Sequence, residues 1–186
     1  MVTDRQDTLE RLTRLLDLSA IAERSQEWND LWFDVHRLAE IQDVDLLPLL
    51  RHAIRHPDWF VRMGALELAG FHYDLTNAAE LLGQVRHMLL LDSSEDVRLT
   101  AAAVLGSQSE AWDEALVQAL TSDPDEDVRR VAFDALLKLL RLGPGPEARW
   151  LGEVEAGRLI PTLDALHAIA VRYDLRPSRF RRTTDA

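Results

Sequence analysis

Three stretches of this chain repeat one order of apolar and polar positions. The first has Val61, Ala65, Leu68 and Ala69; the second Val97, Ala101, Val104 and Leu105; the third Val128, Ala132, Ala135 and Leu136. Counted from the valine, the spacing is 0, 4, 7 and 8 each time, which is one face of an α-helix. Apolar residues also stand eight positions before each valine (Ala53, Leu89, Leu120) and twelve before it (Leu49, Val85, Leu116). These form a second helical face. Each stretch is therefore expected to be a helical hairpin whose second helix begins near the valine. An arginine follows each valine, and the units are 36 and 31 residues apart. Self-similarity at a period of about 20–50 residues marks a stack of repeated units.

Turn chemistry supports the same division. Asp58, Ser94 and Asp125 stand three residues before each valine, where a side-chain oxygen can accept the free N–H groups of a starting helix. Gly70 and Gly106 lie where the second helices are expected to end. The small Ala65, Ala101 and Ala132 would let neighbouring helices approach closely. Before the hairpins, residues 5–22 and 27–41 read as amphipathic helices, together an N-terminal cap over 1–44. The hairpins fall at 45–71, 78–107 and 111–142. The first interval has five residues more than the second. That surplus is expected in Phe71–Asn77, either as a binding insertion on one rim or as a longer helix end. Gly143-Pro-Gly-Pro146 ends the third hairpin. A last pair at 147–158 and 161–173 serves as C-terminal cap, with Pro161 in a first helical turn. Residues 176–186 lack periodicity and are expected to be a disordered tail. No stretch shows sustained alternation, so no β-structure is expected.

The motifs Asp58-Trp-Phe-Val61-Arg62-Met-Gly-Ala65, Ser94-Glu-Asp-Val97-Arg98-Leu-Thr-Ala101 and Asp125-Glu-Asp-Val128-Arg129-Arg-Val-Ala132 resemble HEAT repeats. The likeness is to the short-period kind first associated with phycobilisome lyases, and it covers about residues 46–142. It implies an all-α, right-handed α-solenoid of about ten helices spanning residues 1–175, with the second helices lining a concave side. It also implies a structural ladder of Arg62, Arg98 and Arg129 with acids of neighbouring repeats, Asp58 and Asp125 among them.

Composition narrows the classes. The 186 residues suit one domain or one small array and can bury roughly 70% of their unfolded surface. The absence of cysteine excludes disulfides and thiolate metal sites. No signal peptide or run of about 18 apolar residues is visible, so a cytoplasmic protein that does not engage membranes is expected. The net charge of −11 is uneven: residues 172–186 carry +3 and the rest −14. An acidic body repels phosphate backbones, which argues against a nucleic-acid partner. Lys138 is the one lysine among 21 basic residues.

The search for chemistry finds little. His52 and His56 share a helix face at metal-binding spacing, but no cysteine lies near and Pro57 ends the helix, so a surface pair is expected. No His-Glu pair occurs, which disfavours the iron hydroxylases built on related repeats. Asp123-Pro-Asp-Glu-Asp127 has alternating acids but lacks the glycine and glutamate of a calcium loop, and helix capping explains it. No nucleophile elbow, phosphate loop or dinucleotide fingerprint is present. Arg179-Phe-Arg-Arg182 reads as part of a solvated tail rather than a nucleic-acid or membrane contact.

The expectation is thus a monomeric, non-enzymatic scaffold or adaptor with no cofactor and no metal, binding a protein partner. Positions 2 and 6 of each second helix should face outward: Met63 and Glu67, Leu99 and Ala103, Arg130 and Asp134. Met63, Leu99 and Ala103 would make an apolar patch flanked by charge, a composition suited to protein recognition. Trp59 joins these candidates because its counterparts are Glu95 and Glu126, and tryptophan is enriched at binding hot spots. The alternative is a lyase-like or chaperone-like accessory, for example in tetrapyrrole attachment.

Overall fold

The computed structural model describes residues 4–17 and 26–175. Among these residues it is all-helical, with ten α-helices and no strand. They are α1 (Arg5–Leu16), α2 (Gln26–Glu40), α3 (Leu46–Ala53), α4 (Trp59–His72), α5 (Ala79–Leu91), α6 (Glu95–Gln108), α7 (Glu114–Ser122), α8 (Glu126–Leu139), α9 (Pro144–Glu155) and α10 (Leu163–Arg172). The expected continuation of the first helix to residue 22, the side chain of Trp28 and the 176–186 tail lie outside the described residues. No helix among the described residues is long and apolar enough to cross a membrane.

The chain forms two compact units, one up to Leu81 and one from Leu82. In the first, α1 packs on α2 and α3, and α4 packs on α2 and α3. Val61, Ala65, Leu66, Leu68 and Ala69 of α4 are buried, as are Leu31 and Val35 of α2 and Leu46 and Leu50 of α3, the two helices on which α4 packs. Gly64 lets α4 approach α2: a Cβ built there would stand 2.3 Å from Cζ2 of Trp32. The end of α2 is held by Gln42 in the left-handed region (φ 54°), with Asp43 N–H donating to Leu38 O and Gln42 N–H to Ala39 O. This is a Schellman-type stop, here without glycine.

In the second unit, α6 packs along α8, α7 packs on α8, and α9 and α10 both lean on α8. The periodic positions Val97, Ala101, Val104 and Leu105, and Val128, Ala132, Ala135 and Leu136, are all buried. So are residues at the fifth position after each valine, Leu66, Ala102 and Phe133. The buried face is therefore wider than the spacing 0, 4, 7 and 8 predicts.

Several boundaries correct the sequence reading. Gly70 and Gly106 do not end helices: α4 runs to His72 and α6 to Gln108. Gly106 is instead a contact point, since a Cβ there would lie 2.6 Å from Cβ of Ala135. The five-residue surplus is not an insertion at 71–77. Helix α5 has 13 residues where its counterpart α7 has 9, and the connector at 73–78 is one residue longer than that at 109–113. Tyr73 and Leu75 of that connector are buried, so it closes the core rather than forming an open rim. Helix α8 ends at Leu139, with Arg141 at φ 54°, before Gly143 is reached; α9 starts at Pro144, with Gly143 as its N-cap at φ 88°. Proline at the first helical position loses no hydrogen bond, which explains the early start. Pro161 precedes α10 rather than lying within it, because Thr162 Oγ1 caps that helix by accepting from Ala165 N.

Candidate functional site

The three hairpin turns share one hydrogen-bonding scheme, and it is richer than capping. Five residues before each valine stand His56, Asp92 and Asp123. Each accepts the N–H two residues on: His56 Nδ1 from Asp58 N (3.0 Å), Asp92 Oδ1 from Ser94 N (3.0 Å), Asp123 Oδ1 from Asp125 N (2.9 Å). Asp58 and Asp125 then cap α4 and α8, accepting from Phe60 N, and from Asp127 N and Val128 N. Ser94 stands at the equivalent place but makes no side-chain cap, a departure from expectation. The arginine after each valine folds back over its own turn. Arg62 Nη1 donates to His56 O (2.9 Å) and Pro57 O (2.8 Å). Arg98 Nη1 donates to Asp92 O (2.9 Å), and Arg129 Nη1 to Asp123 O (2.7 Å) and Pro124 O (3.0 Å). These carbonyls follow the ends of the first helices, so the arginines satisfy acceptors the helices leave open.

Arg98 does more. Its Nε and Nη2 grip Asp123 of the next hairpin at 2.9 and 3.1 Å, a bidentate pair that is almost wholly buried. Hydrogen bonding to Asp123 raises the Arg98 pKa further above its already high ordinary value. A second link joins the same hairpins: Arg86 Nε of α5 donates to Asp113 Oδ2 at 2.9 Å, while Asp113 Oδ1 caps α7 at Ala115 N. The acids that join these two hairpins are thus Asp113 and Asp123, the latter six residues before Arg129. Asp58 and Asp125, expected in the ladder, cap α4 and α8, and the Asp125 charge also acts on Arg98 of the preceding hairpin. The signal for Asp123 was present in the sequence but masked, since His56 fills the same place in the first unit.

In the first unit, Arg5 bridges Asp43 and Asp45, its Nη2 lying 2.8 Å from Asp43 Oδ1. The Arg5 hydrogen bond holds the nearly enclosed Asp43 carboxyl below the usual carboxylate range. Tyr73 Oη donates to Asp43 O at 2.9 Å. Burial, then the Asp43 charge, pushes the Tyr73 phenol up to about 12.

The candidate partner-contact residues separate into two groups. In the first unit, Trp59 is the first residue of α4, half-buried and edge-on to Phe60 at 5.8 Å, rather than exposed in a turn. Met63 is half-buried and Glu67 exposed. In the second unit, Leu99 and Ala103 of α6 are half-buried, Arg130 of α8 is exposed and Asp134 half-buried. Arg130 pairs with Asp127 at 2.7 Å, not with Asp134. Asp134 Oδ1 is buried without a hydrogen-bond partner, as is Trp150 Nε1 of α9. Burial raises the Asp134 pKa, opposed by Arg130 and Lys138 and reinforced by Glu155 and Glu147. Arg149 and Arg172 lie over the Trp150 ring at 5.7 and 5.5 Å.

The acids of Asp123–Asp127 are occupied as pairs and caps. His52 is exposed while His56 is buried in its turn. No group of three or more potential metal ligands occurs among the described residues. No family model matches the chain, and no curated protein or solved structure matches it either.

Proposed function

We propose that this chain is a non-enzymatic, HEAT-like α-solenoid that serves as a scaffold or adaptor for a protein partner. The observation that carries the reading is the thrice-repeated turn, with an acceptor at the same place, an arginine clamp and a 14-residue second helix each time. Such repetition spends sequence on a regular stack, and the outward positions of the second helices are left to vary. In the second unit those positions are Leu99, Ala103, Arg130 and Asp134: two apolar residues beside a cation and an anion. Half-buried Leu99 and Ala103 flanked by the charges of Arg130 and Asp134 fit the centre and rim of a protein contact. Met63 and Glu67, with Trp59 as an aromatic anchor, give the first unit a comparable surface.

The test is co-purification with partners from the native source, comparing the chain with Leu99→Asp and Met63→Asp variants of unchanged melting temperature. The proposal expects a partner retained by the parent and lost by a variant. Retention by both variants would overturn the assigned surface. A chromophore or metabolite in place of a protein would overturn the scaffold reading.

A further inference from the structure

We infer that α9 is a strap: it closes over the Asp134 edge of α8 and lifts away as a unit while α8 and α10 stay folded. Its consequence rests on the proposed partner surface, of which Asp134 is part: a closed strap covers that residue and an open one presents it.

Three observations carry the inference. First, α9 is weakly seated. Alone among the ten helices it has no fully buried residue among those described, and its apolar Trp150, Leu151 and Val154 are only half-buried. Among the described residues no hydrogen bond or ion pair ties α9 to another helix. Glu153 pairs with Arg158 of the turn that follows, and Arg172 of α10 lies over the Trp150 ring at 5.5 Å without a hydrogen bond. Gly152 stands inside the helix where a Cβ would meet nothing within 4 Å. That glycine serves no close approach and leaves only its cost to helix stability.

Second, the closed position leaves polar groups unsatisfied. Asp134 Oδ1 is enclosed without a donor, and Trp150 Nε1 of α9 is enclosed without an acceptor. Such burial is costly, and lifting α9 returns both atoms to water. Charge acts in the same direction. Glu147 and Glu155, towards the two ends of α9, repel the Asp134 carboxylate. On α8, Arg130 is engaged with Asp127, and Lys138 attracts Asp134 only through space.

Third, the chain is jointed on both sides of α9 and anchored beyond it. Arg141 (φ 54°) and Gly143 (φ 88°) precede the helix and Gly157 (φ 65°) follows it, all in the left-handed region. A Cβ at Gly143 or Gly157 would meet nothing within 4 Å, so packing wedges neither joint. Past the second joint α10 has its own seat: Leu166, Ile169 and Ala170 are buried, and the helix packs on α7 and α8. Elements with few buried apolar contacts open locally, ahead of the core they rest on.

Native-state hydrogen exchange of the full chain at low urea concentrations tests the strap. The amides of α9 are expected to open more often than those of α8 and α10 by roughly two orders of magnitude, with a urea dependence well below that of global unfolding. Gly152→Ala is expected to reduce α9 opening about fivefold, and Asp134→Asn severalfold by removing the repulsion from Glu147 and Glu155. Both substitutions favour the closed form, so neither result depends on a damaged fold. Exchange of α9 in step with α8, or opening not lowered by Asp134→Asn, would overturn the strap. Partner capture insensitive to Leu99→Asp, with α9 opening as expected, would instead overturn the proposed partner surface and leave the strap standing.

Discussion

Asp123 holds two hairpins together through a bidentate ion pair, while Asp125, two residues on, caps its own helix and acts on Arg98 by charge alone. The energetic difference should be measurable. Removing one member of a buried, hydrogen-bonded ion pair strands the other, at a cost of about 3 kcal/mol. Losing an N-cap costs about 1 kcal/mol. Asp123→Ala is therefore expected to lower unfolding free energy by about 3 kcal/mol and Asp125→Ala by about 1 kcal/mol in urea titrations. Arg98→Ala should resemble Asp123→Ala, and the double variant should lose little more than either. Equal losses at residues 123 and 125 would contradict the division of roles. Alignment on the Val-Arg dipeptide made Asp58 and Asp125 legible as caps. It hid the position of Asp123, because the equivalent places hold two aspartates and a histidine, unlike residues doing one job with different acceptor atoms. Asp134 carries the opposite sign of electrostatic contribution. Its folded pKa is raised by burial, so any stability it lends is present below the ordinary carboxylate range and lost as pH rises through the folded value. The ionised form works against the fold at neutral pH. Asp134→Asn is expected to raise the melting temperature at pH 7 and to leave it nearly unchanged at pH 3. A lower melting temperature at pH 7 would contradict this.

At the scale of elements, the helices were readable because periodicity and turn residues agreed, and their limits were less so because helix ends depend on neighbours. Gly106 shows why. In sequence it resembles a C-terminal glycine, yet it lies inside α6 because Ala135 of α8 leaves no room for a side chain. Helix α5 offers the contrast, since a Cβ at Gly83 would meet nothing within 4 Å. A glycine in a helix interior costs about 1 kcal/mol relative to alanine. Gly83→Ala is thus expected to stabilise by about that amount, whereas Gly106→Ala should destabilise by about 1–3 kcal/mol through overpacking. Denaturant midpoints of the two variants would distinguish them, and a stabilising Gly106→Ala would refute the close α6–α8 approach. The greater length of α5 was invisible to spacing counted from the valines. Its extra turn lies between landmarks, and the apolar residues of 71–77 read equally well as loop or core. The first turn's histidine gives a further check: His56→Asp should retain more stability than His56→Ala, because in the other two turns an aspartate accepts the equivalent N–H, that of Ser94 or Asp125. Equal losses would mean that the acceptor is not what the turn requires.

At the scale of the molecule, the repeat explains why the all-helical fold was legible and a partner surface was not. A repeated turn writes its hydrogen-bonding needs into the chain three times over. A partner surface leaves no such internal copy, and the outward residues here differ from hairpin to hairpin: Met63, Leu99 and Arg130 at one position, Glu67, Ala103 and Asp134 at the other. The enclosed Asp134 oxygen and Trp150 nitrogen emerged only with the packing of α9 on α8, which no periodicity announces. The central claim is that the exposed edge of the second helices, not the first, meets a protein. Site-specific photo-crosslinking in the native source tests it most directly, with a benzophenone side chain placed at Leu99 in α6 and, separately, at the exposed Gln118 in α7. A protein adduct at residue 99 and none at residue 118 is the predicted result. Adducts at 118 alone, at both sites alike, or at neither would contradict it.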